Sequence, residues 1–218
     1  YKKISAFIHS LVLKITNKIE FISLDEGYID ITDHIKSPET LSYFAKKFRE
    51  RIKFHTGLTC SVGIGFNKLS AKIASDINKP NGQYIFYSPH EFINYVKEKN
   101  IKIIPGVGKK FVFLLNKKNI FKVQDAFNYS LHELTSYFGK SRGELLYLSI
   151  RGIDHSPIDY KHNFSSIGNE NTYKFPIESS EVISKEVKDI FYYTHKRILK
   201  KNVVIKTVHI KIKFINGE

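Results

Sequence analysis

Glu20-Phe21-Ile22-Ser23-Leu24-Asp25-Glu26-Gly27-Tyr28-Ile29-Asp30-Ile31-Thr32 is the stretch that decides the fold. Two short apolar runs enclose an adjacent acidic pair that is followed at once by glycine. Phe21, Ile22 and Leu24 read as one strand and Tyr28, Ile29 and Ile31 as the next, with Asp25-Glu26-Gly27 at the bend. Carboxylates are poor strand formers, and two side by side repel each other. A divalent cation would relieve that repulsion, and hard Mg²⁺ takes such oxygen ligands. A solvated acidic turn is the other reading of the same three residues.

Working outward, Ile4, Phe7, Ile8, Leu11, Val12 and Ile15 fall at helical spacing and predict a helix over 2–16. On the other side, Ser37-Pro38-Glu39 is a helix start: an N-cap serine, proline in the first turn and an acid at the positive end of the dipole. That helix runs to about His55. Cys60 to Gly65 reads as a buried strand whose glycines permit close approach, Asn67 to Ile77 as a helix, and Gln83 to Tyr87 as a strand. The order αββαβαβ describes a sheet with helices against it. Ser88-Pro89-His90-Glu91 is a capping box that opens a helical region. Within it, Ile104-Pro105-Gly106-Val107-Gly108-Lys109-Lys110 forms a turn between helices. Its backbone N–H groups at a helix N-terminus suit a phosphate oxygen, although a plain inter-helix loop has the same composition.

Asp154 to Phe164 lacks periodicity and reads as a linker. Ser165 to Tyr173 is expected to be extended, Val182 to Leu199 to be an amphipathic helix and Val203 to Phe214 a long strand. Along that strand Val204, Val208, Ile210, Ile212 and Phe214 alternate with Thr207, His209, Lys211 and Lys213. A sheet with one apolar and one basic face suits a nucleic-acid backbone, or is simply solvated on its basic side.

Composition agrees with a polyanionic partner. The 218 residues carry a net charge of +14 and a pI near 9.6. Lysine, asparagine and isoleucine are abundant throughout, so an AT-rich genome is a second source of part of that charge. No apolar run approaches membrane-spanning length. The single cysteine, Cys60, excludes a disulfide framework and suits a reducing, cytoplasmic interior. The absence of methionine leads us to expect an internal fragment of a longer protein.

In their order along the chain, these motifs resemble those of Y-family DNA polymerases, the translesion enzymes of DNA repair, and within that family the bacterial DNA polymerase IV type. Ser23 through Asp30 resembles a catalytic palm motif. Gly63-Ile64-Gly65-Phe66-Asn67-Lys68 through Lys79-Pro80-Asn81-Gly82 resembles the next. Ile104 through Gly108 is similar to the thumb helix–hairpin–helix, and Phe138-Gly139-Lys140 with Arg151-Gly152-Ile153-Asp154 to the end of that thumb. Ser166 through Thr172 and Lys206 through Lys211 are similar to the start of the little finger. Gly27 stands where the family usually has alanine, and Asn171 where arginine is common.

The resemblance implies an α+β fold: a partial catalytic palm over 1–87, a small helical thumb over 88–153, a linker over 154–164 and an incomplete α/β little finger over 165–218. It also implies template-directed nucleotidyl transfer to a primer 3′-hydroxyl by a two-Mg²⁺ mechanism. Asp25 and Glu26 are then the catalytic and metal-binding carboxylates, and Asp30 a structural one. Lys79 binds the triphosphate. Gly106, Gly108, Lys109, Lys110, Thr207 and Lys211 contact DNA. Lys68 and Lys72 are assigned to helix solubility or the DNA backbone. The expected partners are primer–template DNA, deoxynucleoside triphosphates and, through sequence beyond Glu218, a sliding clamp; no membrane is involved. The family's first metal-binding aspartate, its ribonucleotide-excluding aromatic residue and its fingers are expected upstream of Tyr1. The fragment alone is therefore expected to be inactive. The alternative is a non-catalytic DNA-binding fragment that uses the thumb hairpin and the basic sheet.

Overall fold

A computed structural model of the chain describes residues 1–35, 37–159, 166–201 and 203–214. The chain divides into two units, Tyr1–Lys161 and His162–Glu218. The first opens with α1 (Lys2–Leu13), which stops short of the expected residue 16 because the Ile15 N–H turns back to the Val12 carbonyl at 2.8 Å. β1 (Ile19–Phe21) and β2 (Gly27–Ile29) then form the acidic hairpin, with Glu20 opposite Tyr28 and Phe21 opposite Gly27. Both strands are shorter than expected. Ile22 and Leu24 lie in the connecting loop, and Gly27 opens the second strand instead of sitting in the bend. The Ser23 hydroxyl accounts for this. It accepts the N–H groups of Asp25 at 3.3 Å and Glu26 at 3.1 Å, replacing ladder bonds with a side-chain-backed loop.

α2 (Pro38–Thr56) starts at the expected Ser37-Pro38 and ends at Gly57, whose φ of +73° supplies the left-handed cap that favours glycine. β3 (Val62–Ile64), α3 (Lys68–Ile77) and β4 (Gln83–Ile85) make a βαβ unit in which Val62 pairs with Gln83 and Ile64 with Ile85, in parallel. The Asn67 side chain caps α3 by accepting the Ser70 N–H at 2.9 Å. A β-carbon at Gly63 would lie 2.1 Å from the Ala71 carbonyl oxygen, so β3 rests directly on the α3 backbone. Among the described residues, the four strands pair as two separate two-stranded sheets, not as the single sheet expected.

The helical region contains α4 (Pro89–Val96), a 3₁₀ turn at Ile101–Ile103, α5 (Lys109–Asn116), a second 3₁₀ turn at Val123–Asn128, α6 (Leu131–Phe138) and α7 (Lys140–Ile150). Its core is continuous with that of the βαβ unit. Leu69, Ile73 and Phe86 join Phe92, Leu115, Leu134 and Leu146 in one buried cluster. Each such side chain contributes about 1.5–3 kcal/mol by leaving water. A smaller cluster of Ala45, Ile64 and Ile85 seats α2.

In the second unit, α8 (Ser180–Lys201) is two residues longer at each end than expected and buries none of its residues. The strand expected over Val203–Phe214 does not form among the described residues, and Val204, Ile210 and Phe214 are exposed. Neither do residues 166–173 form a strand. Alternation of side chains defines two faces, but a strand exists only through a ladder with a neighbour. The end of the expected linker, 160–164, and the first residue of the expected little finger, 165, lie outside the described residues.

Candidate active site

The loop between β1 and β2 carries Asp25 and Glu26 into solvent, and both are exposed. Four hydrogen bonds give it shape. The N–H groups of Ile22 and Ser23 both donate to the Glu26 carbonyl, at 3.0 and 3.2 Å. The Ser23 hydroxyl donates to Asp25 Oδ1 at 2.6 Å. From α1, the buried Ser5 hydroxyl donates to the Leu24 carbonyl at 2.6 Å. One turn on, His9 stacks on Phe21 with ring centroids 3.5 Å apart, and burial holds its imidazole below the ordinary histidine value. Ser23 was quoted in the motif without a role. Its role is visible only once the loop is folded, because one hydroxyl serves two N–H groups and a carboxylate.

α3 brings up two lysines one turn apart. Lys72 Nζ lies 2.7 Å from Glu26 Oε1 at an exposed site. Lys68 Nζ lies 2.6 Å from Glu20 Oε2, and these side chains are only 17% and 14% exposed. Lys68 also donates to the Pro157 carbonyl at 3.3 Å and sits 5.1 Å from the Tyr28 ring centroid. Burial alone would raise the Glu20 carboxyl. The hydrogen bond from Lys68, the backbone N–H of Asp159 and the lysine charge outweigh it and hold the group below the ordinary glutamate value. Burial, with the carboxylates of Asp154, Glu20 and Glu26 nearby, pushes the Tyr28 phenol up. Both lysines therefore face the hairpin, a placement that their spacing in the sequence does not reveal.

Lys79 follows the C-terminal end of α3, at the opposite end from Lys68. Its ammonium pairs with Asp76 at 2.5 Å and is about half exposed. The turn after it is held by Arg49 of α2, whose guanidinium donates to the Asn81 carbonyl, to Asn81 Oδ1 at 3.1 Å and to Gln83 Oε1 at 3.0 Å. Among the described residues, no ion pair joins Lys79 to Asp25 or Glu26. In the helical region, Gly106 takes a φ of +88°, Val107 is buried as a peg, and Gly108 caps α5 with open space around it. Lys109 and Lys110 are exposed at the start of α5, where the helix dipole is positive. Thr207 and Lys211 are exposed in the second unit, in a segment without a strand.

Among the described residues, no cluster of three His, Cys, Asp or Glu side chains forms a metal cage. Mg²⁺ seldom uses one. It keeps several waters and is held by one or two carboxylates plus substrate phosphates. The two adjacent carboxylates of the hairpin fit that ion in donor type and in exposure to an incoming substrate. No described helix is long and apolar enough to cross a membrane.

Residues 1–76 match the impB/mucB/samB family model, and residues 102–154 match the DNA polymerase-iota thumb domain. DNA polymerase IV of Fusobacterium nucleatum is 54% identical over 214 residues, covering 98% of this chain and 61% of that protein. DNA polymerase IV of Staphylococcus aureus strain Newman is 35% identical over 215 residues, covering 98% of this chain and 59% of that protein. The chain thus spans about three fifths of the length of these curated relatives. Among solved structures, a Y-family DNA polymerase chimera of Dbh and Dpo4 superposes with a TM-score of 0.80 at 28% identity, over 90% of this chain and 57% of that one. DinB from Sulfolobus solfataricus superposes with a TM-score of 0.66 at 30% identity, over 73% of this chain and 47% of that one. With both family models matched in chain order and relatives matched across nearly its whole length, the chain is similar throughout to Y-family DNA polymerases.

Proposed function

We propose that the whole protein carries out template-directed DNA synthesis across damaged templates, adding deoxynucleotides to a primer 3′-hydroxyl. The observation that carries the proposal is the exposed, hydroxyl-backed loop presenting Asp25 and Glu26 side by side. Asp25 and Glu26 would hold Mg²⁺, two ions per site, which supplies charge neutralisation at the triphosphate and activation of the primer hydroxyl. The chain's own part is positioning. Ser23 orients Asp25 by its hydrogen bond, and Lys72 pairs with Glu26 from the side of α3 in an exposed, weaker contact. Lys79, a compact point charge on a turn braced by Arg49, supports a triphosphate. The Gly106–Gly108 turn and the positive end of α5, with Lys109 and Lys110, support DNA phosphates without reading sequence. Thr207 and Lys211 add backbone contacts. Palm, thumb, linker and little finger over 1–87, 88–153, 154–164 and 165–218, a cytoplasmic location and a clamp contact through sequence beyond Glu218 belong to the same proposal.

Primer extension by the whole protein, with Mg²⁺ and the four deoxynucleoside triphosphates, tests it. Extension should require a template and disappear with a chelator. Lys79→Ala should raise the apparent KM for nucleotide while DNA affinity holds. Glu26→Ala should abolish most incorporation. Template-independent or metal-independent synthesis would overturn the two-metal templated mechanism, and DNA binding with no synthesis at all would leave only the non-catalytic DNA-binding reading.

A further inference from the structure

Glu20 lies at the base of the hairpin, away from the exposed loop, and two distant parts of the first unit converge on it. Its Oε2 accepts Lys68 Nζ from α3 at 2.6 Å and the Asp159 backbone N–H at 2.9 Å. Lys68 reaches on to the Pro157 carbonyl. The same segment, Gly152 to Asp159, is bound to the start of α3 by two further contacts. Asn67 Nδ2 donates to the Gly152 carbonyl at 2.8 Å, and the Leu69 N–H donates to Asp154 Oδ2 at 3.0 Å. Asp154 Oδ1 in turn receives the Ser156 N–H at 2.9 Å. A stretch that composition marks as a linker is therefore strapped along α3 to the base of the acidic hairpin.

We propose that Glu20 and Lys68 form a positioning clasp, by which the strap Gly152–Asp159 fixes the hairpin carrying Asp25 and Glu26 against α3. The chemistry favours this role over a surface ion pair. Both side chains are largely buried, and Glu20 Oε2 accepts two donors, one from α3 and one from the backbone of the strap. The outer end of the hairpin has weaker support: Lys72–Glu26 is exposed, and exposed pairs fix little. Without the clasp, β1 keeps its short ladder to β2, but the pair is free to shift relative to α3. A shift of about 1 Å is enough to spoil a two-carboxylate site. Glu20 and Lys68 are thus positioning residues, acting through the hairpin and touching no reactant.

Amide hydrogen exchange on the whole protein tests the clasp without reference to activity. Glu20→Ala should speed exchange on the order of tenfold in peptides covering residues 19–29 and 152–159 together, with peptides from 109–150 unchanged. Glu20→Gln loses the charge but keeps one acceptor oxygen, enough for the two donors that both meet Oε2, and should retain part of the protection. Lys68→Met provides a second route if Glu20→Ala loosens the whole first unit, and it should speed the same two segments. Acceleration in only one of them, or in neither, overturns the clasp. The catalytic half rests on the polymerase reading: Glu20→Ala should lower kcat for incorporation about tenfold, with KM for nucleotide near the parent value. Parent-like kcat in Glu20→Ala overturns that half. A parent protein that incorporates nothing overturns the polymerase reading instead, and exchange then decides the clasp alone.

Discussion

The acidic hairpin and the helical region belong to one unit but are held in opposite ways. Leu115, Ile120 and Leu134 of the helical region are fully buried, whereas Ile22 and Leu24 of the hairpin loop are 54% and 51% exposed. Burial is non-directional: it stabilises a region without fixing any one atom. Hydrogen bonds and ion pairs contribute less free energy but specify position. The hairpin depends on the second kind, through Ser23, Ser5 and the Glu20–Lys68 clasp. On the proposed function, chemistry and stability are located in different residues and should be separable by mutation.

The sharpest break of that separation is Asp25→Ala. Incorporation should fall by roughly a thousandfold or more, while the thermal midpoint stays close to the parent value because the side chain is exposed and its hydrogen bond from Ser23 is confined to the loop. A large fall in midpoint would show that the loop carries stability after all. The converse variant, Leu134→Ala, should cost about 2–5 kcal/mol in denaturant unfolding. Its incorporation rate per folded molecule should be unchanged, and a lost rate at full folding would join the two regions functionally.

Acid should distinguish the regions next. Glu20 has a folded pKa held below its ordinary 4.5, so the unfolded chain binds more protons in that range. Its contribution is fully present above 4.5 and is lost as pH falls from there through the folded value. His9, lowered by burial from 6.5, also favours the unfolded chain on acidification, but from a higher pH. Stability measured against pH should thus decline first in the histidine range and then in the carboxylate range, which Glu20 shares with Asp30, Glu39, Glu50 and Glu133. Glu20→Gln should make the lower decline shallower. An unchanged lower decline in Glu20→Gln would remove the clasp from the acid response. The smallest effect is expected in the second unit, where Phe191 on α8 is 58% exposed. Phe191→Ser should change unfolding by no more than about 0.5 kcal/mol, and a cost well above that would reveal packing around α8.

What was legible in the sequence follows the range of the interactions involved. Ser37-Pro38, Asn67 and Ser88 announce three helices because capping acts over three residues. Gly63 was legible as a close approach, since only a missing side chain lets β3 rest on α3. The hairpin strands were overextended because the Ser23 hydroxyl, not apolar patterning, ends the ladder. Alternation over Val204–Phe214 was plain, but the described residues supply no neighbouring strand to pair with it. Asp25 and Glu26 stood out by adjacency, whereas Glu20 and Lys68 did not. Partners 48 residues apart leave no local pattern, and neither does a backbone N–H from residue 159.

That last distance also orders events during synthesis. The hairpin needs only neighbours and can close on itself as soon as it leaves the ribosome. The Asp159 N–H that completes its base arrives 139 residues after Glu20. At 5–20 residues per second, the interval is roughly 7–28 s. Through that time the chain carries Asp25 and Glu26 on a hairpin whose base lacks that contact. The intervening helical region must be translated before the fastening can be made. Geometric competence is thus a late step in the birth of the molecule, and a nascent chain arrested before Asp159 would present the acidic loop without its final setting.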